Sequence, residues 1–173
     1  MEPSIFQVLT FRIAGEEYAV GILSVREIIE YEAVTRIPAT PAWIRGVINL
    51  RGSVVPVIDL AVKFGLPETR ITRRTCIVIV EAELEGEPAV LGILVDSVHQ
   101  VIELAPGEIE PPPAFGTPVR ADFLLGMAKT GPRFALLLDV ARVLAADELL
   151  QAVSLPEEIP VEEPEAAEGA APA

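Results

Sequence analysis

The sequence predicts a mainly β protein that folds as two small antiparallel barrels, and three of its features lead to this prediction. Sixteen prolines and twelve glycines divide the 173 residues into short segments, most of them rich in Val, Ile, Leu, Phe or Thr. Helical signals are few and short, which disfavours a parallel sheet with crossover helices. An internal repeat indicates two copies of one small β unit.

Nine segments have the length and composition of strands. Turns that contain glycine join neighbouring segments at Gly15, at Gly86 and at the pair Arg51-Gly52, so we expect three hairpins. Pro56 lacks an N–H group, and the strand that contains it should therefore lie at a sheet edge or carry a bulge. The predicted strands are Phe6–Ile13, Glu17–Gly21, Val47–Leu50, Val54–Ile58, Thr75–Ala82, Ala89–Val95, Val98–Glu103, Leu124–Lys129 and Arg133–Leu138.

Three short helices are predicted from capping signals. Thr40 is a good N-cap and is followed by proline, so a helix of one or two turns should begin there and end at Gly46. Asp59 can cap a short helix that runs through Phe64. Asp139 can cap a longer C-terminal helix with an apolar face.

The internal repeat is clearest around the only tryptophan. The segment Trp43–Gly46 resembles Phe123–Gly126, since an aromatic residue precedes a glycine by three positions in both. In both copies an aspartate follows that glycine after thirteen residues and ends an apolar strand, at Asp59 and at Asp139. The paired spacing favours a true repeat over chance similarity among apolar strands.

The repeat also predicts how the chain is divided. The segment 15–23 is echoed at 86–94, with Gly15 aligned to Gly86 and Gly21 to Gly92. We expect a first barrel over roughly 15–66 and a second over roughly 75–145, and an exchange of strands between them is possible.

Charge is distributed unevenly along the chain. Of the formal charge of −13, Asp147–Ala173 contributes eight acids and no Lys or Arg, which leaves 18 acids and 13 bases in the rest. The acidic, Pro- and Ala-rich stretch 151–173 has too few large apolar residues to fold, and we expect it to be disordered. The local concentration of Arg70, Arg73 and Arg74 is interpreted as a solvated loop. Nucleic acid is an unexpected partner for such a chain.

Candidate catalytic and metal-binding residues are few. The single histidine, His99, lies in a predicted strand, and the single cysteine, Cys76, lies in an apolar run typical of an inert buried thiol. One histidine and one cysteine do not supply a zinc ligand set. Helix capping explains Asp59 and Asp139 better than a catalytic pair does. We therefore expect no cofactor, metal or catalytic site, and a small hydrolytic enzyme using Asp59, Asp96 or His99 is the remote alternative.

The segment Gly46–Gly52 is the most informative one for function. Asn49 and Arg51 alternate with apolar residues along a strand that ends at a glycine turn. The pair fits the wet face of a half-buried strand. It equally fits a rigidly held cation that binds carboxylates through two hydrogen bonds.

Six blocks of the sequence together form a recognisable pattern. They are Val25–Ile28, Val34–Pro38, Pro41–Gly52, Val55–Leu60, Gly92–Val98, and Gly126 with the strand that ends at Asp139. With these blocks the sequence resembles the CheW family of chemotaxis coupling proteins over about residues 5–150. The resemblance implies two SH3-like five-stranded β-barrels around a common core, with no cofactor and no catalysis. It also implies two partners: the cytoplasmic signalling tips of chemoreceptors, and the regulatory domain of a CheA-type histidine kinase.

The resemblance also assigns residues to the two partners. A groove between the barrels is expected to bind the receptor, and the first barrel is expected to face the kinase. The receptor-binding residues are Leu9, Ile22, Val25, Ile28, Asn49, Arg51 and Val98. The kinase-binding residues are Arg36, Pro38, Trp43, Val55 and Val57.

The N-terminus shows no signal peptide, and no apolar run approaches the ~20 residues that cross a bilayer. We therefore expect a cytoplasmic protein at membrane-associated receptor arrays, which reaches the membrane only through the receptors. An adaptor of a non-flagellar chemosensory pathway, controlling gene expression or surface motility, is the alternative.

Overall fold

The computed structural model describes residues 6–84, 86–111 and 123–143. Over these residues the protein is mainly β, as predicted, and it contains two short helices and two 3-10 turns. Its elements are β1 Phe6–Ile13, β2 Glu16–Gly21, β3 Val25–Glu30, β4 Ile44–Leu50, β5 Ser53–Asp59, α1 Leu60–Lys63, β6 Cys76–Leu84, β7 Glu87–Val95, β8 Ser97–Leu104, β9 Ile109–Glu110, β10 Leu124–Thr130, β11 Arg133–Leu138 and α2 Val140–Val143.

All nine predicted strands are present, whereas one predicted helix is not. Strands β3 and β9 were not predicted as strands. The helix expected from Thr40 to Gly46 is wrong. The Ile44 N–H donates to the Pro41 carbonyl and closes a single turn, and Ile44 then pairs with Ile58 across the sheet. Strand pairing therefore overrides the local capping signal.

The strands form two sheets, each of which encloses its own buried side chains. The first sheet has six strands in the order β8-β1-β2-β11-β10-β9, and the second has five in the order β3-β6-β7-β5-β4. One group of buried side chains, including Val8 and Leu137, comes from five strands of the first sheet, and the partly buried Ile109 of β9 packs against it. Another, including Ile48 and Ile79, comes from four strands of the second sheet, and the partly buried Ile29 of β3 packs against it. Each sheet therefore curls around an interior of its own.

A third and larger group of buried side chains draws on both sheets. It includes Leu9, Phe11 and Tyr18 of the first sheet and Val78 and Val80 of the second. We call it the shared core. Two barrels around a shared core are the predicted fold, except that one of them has a sixth strand, β9, of two residues.

The internal repeat is present in the backbone. The N–H of Asp59 donates to the Trp43 carbonyl and that of Asp139 to the Phe123 carbonyl, both over 2.8 Å. In each copy a bulge precedes the repeated glycine. A side chain at either glycine would collide with a neighbouring backbone carbonyl, because an added Cβ would lie 2.2 Å from the Thr35 oxygen at Gly46 and 2.6 Å from the Glu110 oxygen at Gly126.

The repeated halves exchange their first hairpins. Strands β1 and β2 join the sheet of β8–β11, and β6 and β7 join the sheet of β3–β5. Neither sheet therefore corresponds to 15–66 or 75–145, and the outer limits of the domain, 5 and 150, stay a prediction. The alignment of 15–23 with 86–94 is off by two residues. Val57 and Leu137 are equivalent in the repeat, and they pair with Gly92 and Ala19 respectively. Gly92 therefore corresponds to Ala19 and not to Gly21, because both arms of the second hairpin are two residues longer.

Pro56 is neither at a sheet edge nor at a bulge of its own strand. Strand β5 lies between β7 and β4. Val47, which faces Pro56, uses its backbone N–H and carbonyl to pair with Thr35, so the Val47–Pro56 pair needs no hydrogen bond. The parallel pairing with β7 begins one residue later, at Val57. The missing N–H is therefore tolerated inside the sheet.

The acidic stretch 151–173 and any continuation of α2 lie outside the described residues. In the ranges that are described, no helix has both the length and the hydrophobicity that a membrane span requires.

Tyr18 provides a stability test. Its side chain is fully buried, and its hydroxyl has no hydrogen-bond partner among the described residues. We expect Tyr18→Phe to raise the free energy of unfolding by about 1 kcal/mol, and Tm by about 2–4 °C, because it removes an unpaired buried polar group. Tyr31→Phe, at the other tyrosine, is the control and should leave Tm nearly unchanged.

The same residue predicts a pH effect. Burial, followed by the charge of Glu16, raises the pKa of Tyr18 from 10.0 to about 12. The folded state thus favours the neutral phenol over the phenolate. The contribution of the neutral phenol to the free energy of unfolding is therefore complete below pH 10 and is lost as the pH rises to about 12. In denaturant titrations between these pH values, wild type should lose more stability than Tyr18→Phe. An equal loss would contradict the assignment.

Candidate functional site

Strand β3 presents two apolar side chains toward the shared core. Val25 lies opposite Val80, and Ile28 lies opposite Val78, with a bulge between Val25 and Glu27. Val78 and Val80 both belong to the shared core. Because paired residues point to the same face of a sheet, the bulge brings Val25 and Ile28 onto one face.

Strand β8 repeats this arrangement at the edge of the other sheet. Val98 lies opposite Phe11 and Val101 opposite Leu9, with His99 as the extra residue of a bulge. Phe11 and Leu9 also belong to the shared core. The segments Val25–Ile28 and Val98–Val101 are therefore equivalent in the two halves, and both place an apolar pair three residues apart beside the same core.

Together the two edge strands and the turn before β3 form an apolar surface, which we call the edge-strand groove. Its 3-10 turn, Ile22–Ser24, contacts both β1 and β6, the strands next to the two edges. Ile28 is 42% exposed, Val101 47% and Leu23 98%, which is unusual for side chains of this size. The groove consists of Ile22, Leu23, Val25, Ile28, Val98 and Val101.

Most residues predicted to bind the receptor lie at this groove. Ile22, Val25 and Val98 are half-buried and pack against the shared core. Leu9 does not reach the surface, since it is only 2% exposed and forms part of the core below. Leu23 and Val101 also belong to the groove and were not among the predicted residues; for Val101, the spacing Val-x-x-Ile and Val-x-x-Val in equivalent segments was a usable signal.

The hairpin at Asn49–Gly52 holds a cation beside β3. Arg51 and Gly52 have positive φ angles of 51° and 90°, and the Gly52 N–H donates to the Asn49 side-chain oxygen over 2.9 Å. Arg51 forms an ion pair with Glu27 of β3, and its side chain is 70% exposed. Since β3 and β4 are opposite edges of one sheet, this pair joins the edges of the barrel.

The residues predicted to bind the kinase are divided between surface and interior. Arg36 and Pro38 are exposed, and Trp43 is half-buried beneath the Lys63 ammonium, 4.1 Å from its ring centroid. Val55 and Val57 lie in the interior of the five-stranded barrel and present no side chain to a partner.

Asp59 is the centre of a buried polar network. It accepts hydrogen bonds from Arg45 over 2.9 Å, from the Thr69 N–H and hydroxyl over 3.0 and 2.8 Å, and from the Ala61 N–H over 3.2 Å. The last of these is the predicted helix cap. The network connects the bulge of β4, the start of α1 and the loop after it, which accounts for Asp59 structurally.

The other candidate residues for chemistry are also explained by structural contacts. Asp96 accepts a hydrogen bond from the Ala14 N–H over 2.9 Å, and His99 lies 3.1 Å from Glu17. Burial, and secondarily Glu30, raises the pKa of the Cys76 thiol, which makes it less reactive at neutral pH. Within the described ranges no group of three or more His, Cys, Asp or Glu residues could hold a metal ion.

Comparisons with known proteins agree with this architecture. The family model of the CheW-like domain matches residues 7–148. The chain is 38% identical over 143 residues to the chemotaxis protein CheW of Klebsiella aerogenes, covering 83% of this chain and 84% of that protein. It is 32% identical over 119 residues to protein FrzA of Myxococcus xanthus, covering 69% and 71%.

A solved structure is similar over most of its length. The scaffolding protein TtCheW from Thermoanaerobacter tengcongensis superposes with a TM-score of 0.73 at 35% identity, covering 85% of this chain and 92% of that one. The chain therefore belongs to the CheW-like domain family of non-catalytic chemotaxis scaffold proteins.

Proposed function

We propose that this protein couples the cytoplasmic tips of chemoreceptors to a CheA-type histidine kinase, and that the receptor tip binds in the edge-strand groove. The observation that carries the proposal is the exposure of Ile28 and Val101 on two equivalent edge strands beside one core. A receptor tip is a helical hairpin, and the apolar face of a helix suits an apolar groove of this kind.

The kinase is proposed to bind a second surface on the five-stranded barrel. Its candidates are the exposed Arg36 and Pro38 and the half-buried Trp43, which lie on the segment that leads into β4. Arg51 lies at the far end of β4 and flanks the groove through its contact with Glu27. The separation of the two surfaces would let one molecule hold both partners, on the cytoplasmic side of a receptor array.

Co-sedimentation tests this proposal. The purified protein should bring a CheA-type kinase into the pellet with membranes that contain a receptor signalling fragment, and should bind each partner alone. If the protein binds the kinase but does not bind the receptor fragment, the groove is not a receptor site. Binding to neither partner would remove the coupling function.

Arg51→Glu should weaken partner binding without unfolding the protein. The ion pair with Glu27 is largely solvent-exposed, and pairs of this kind contribute at most about 1 kcal/mol, so Tm should fall by less than about 5 °C. Charge reversal at an acidic partner surface should weaken binding at least about tenfold, or 1.4 kcal/mol.

The matched control is Arg133→Glu, because Arg133 is an exposed cation in the corresponding hairpin of the second half. It should bind both partners as wild type does. A larger fall of Tm in Arg51→Glu would assign Arg51 to the stability of the barrel instead. Circular dichroism and isothermal titration measure the two effects.

A further inference from the structure

A second surface adjoins the edge-strand groove at Ser97, the residue before Val98. It is an open cavity of about 620 Å³ beside the loop that follows α1. Leu66 and Pro67 supply apolar surface, and Arg70 and Arg74 line the cavity from the loop. We call it the arginine cleft. None of the residues assigned to the receptor or to the kinase lines it.

The loop beside the arginine cleft carries three exposed cations. Arg70, Arg73 and Arg74 form no ion pair with another described residue. The lining also contains two acids, Glu68, which lies 3.5 Å from Arg45, and Asp96, which accepts the Ala14 N–H. Against these two carboxylates the three arginines leave a net formal charge of one positive unit, in a chain whose formal charge is −13.

The C-terminal stretch has the complementary composition. Residues 155–173 contain six glutamates and no Lys or Arg. Its first half alternates glutamate pairs with Leu155, Ile159 and Val161. Acidic side chains flanked by aliphatic ones suit a cleft that has an apolar floor and an arginine rim.

The covalent connection is long enough to reach the cleft. Val143, the last described residue, packs in the shared core together with Ala61, which also lines the cleft. Glu157 follows Val143 by fourteen positions, and an extended chain of that length spans up to roughly 45 Å. A folded domain of this size has a radius of gyration of only about 15 Å.

We propose that the acidic C-terminal segment, residues 155–173, binds in the arginine cleft of its own chain. Exposed ion pairs are individually weak, so the cleft would hold a free acidic peptide poorly. A tethered segment is present at a millimolar effective concentration, which lets weak contacts populate the bound state. The segment from the same chain is therefore favoured over an acidic segment of a partner.

A spin label on the segment tests the proposal in the full chain. Cys76→Ser removes the only cysteine, and Pro160→Cys places the label between the two glutamate pairs. The label should broaden the amide resonances of Ala61, Leu66 and Asp96. The resonances of the β10–β11 hairpin serve as the control and should stay sharp.

Two changes should abolish the broadening. One is the replacement of Arg70, Arg73 and Arg74 by glutamine in the same full-length chain. The other is 1 M NaCl, where the screening length falls to about 3 Å. Broadening that is absent, is spread over the whole surface, or survives the arginine replacements would overturn the proposal. So would cleft resonances that shift only when a receptor or kinase fragment is added, because the occupant would then be the partner.

Discussion

Ile28→Glu combined with Val101→Glu is expected to abolish receptor binding and to leave the protein folded. Both side chains are more than 40% exposed, so a carboxylate at either position stays hydrated in the free protein. In the complex the two carboxylates would be buried against an apolar helix face without a partner, which costs about 1–3 kcal/mol each. Affinity for the receptor fragment should therefore fall by about 100-fold or more.

The control is Phe134→Glu, which changes an apolar side chain of similar exposure, 44%, on β11 and outside the groove. It should bind the receptor like wild type. Unchanged binding by the double variant would exclude the groove as the receptor site. Val98→Glu alone is a less decisive variant, because Val98 packs against the shared core and a charge there also destabilises the fold.

The strands and hairpins could be predicted because their signals are local. Gly15 and Gly86 both have positive φ angles in two-residue turns, and Arg51 with Gly52 forms the third predicted turn. The aspartates at 59 and 139 both follow strands and hydrogen-bond to the first turns of helices. Each of these features depends on a few neighbouring residues, which the sequence contains in full.

The exchange of hairpins between the halves could not be predicted in this way. The hairpins β1–β2 and β6–β7 are both rich in apolar residues, and by composition either would fit between β3 and β5 or between β8 and β11. The choice depends on contacts between residues far apart in the chain, such as the parallel pairing of Val57 with Gly92. The two-residue error in the repeat alignment has the same origin, since hairpin arms can lengthen without any change at the turn.

The sequence indicates which segments carry the candidate site, but it does not tell which of their apolar residues are buried. Periodicity marks Leu9, Val55 and Val57 as apolar strand residues but does not tell which face meets a second barrel, and all three are buried. Val54, next to Val55, is the exposed one, at 38%. The bulges in β3 and β8 reverse the alternation of faces, so a strict period of two cannot place Ile28 beside Val25.

Asp59→Ala is expected to be the most destabilising single substitution among those considered. Asp59 is fully buried and accepts four hydrogen bonds, one of them from the largely buried guanidinium of Arg45. Removing the carboxylate leaves the Thr69 donors unpaired and leaves the largely buried Arg45 with only the exposed Glu68, at 3.5 Å, as an ion-pair partner, which costs about 3–5 kcal/mol. Domains of this kind are stable by only about 5–15 kcal/mol, so Tm should fall by about 10 °C or more.

The second half of the chain supplies a control for this substitution. Asp139 occupies the equivalent position and also caps a helix, since its side chain accepts a hydrogen bond from the Arg142 N–H. It has no counterpart of Arg45, because Leu125 stands at that position of the second half. Asp139→Ala should therefore cost only about 1 kcal/mol, the value of a helix cap. Equal costs at the two positions would mean that capping, and not the buried ion pair, is what Asp59 provides.

A double substitution separates the carboxylate from the charge that it neutralises. Arg45→Leu in the Asp59→Ala background gives the first half the apolar bulge residue of the second and removes the guanidinium that has lost its buried partner. If the cost of Asp59→Ala is mainly that of stranding a buried cation, the double variant should recover about 1–3 kcal/mol relative to the single one. No recovery in denaturant titrations would assign the cost to the Thr69 and Ala61 hydrogen bonds, which the double variant also lacks.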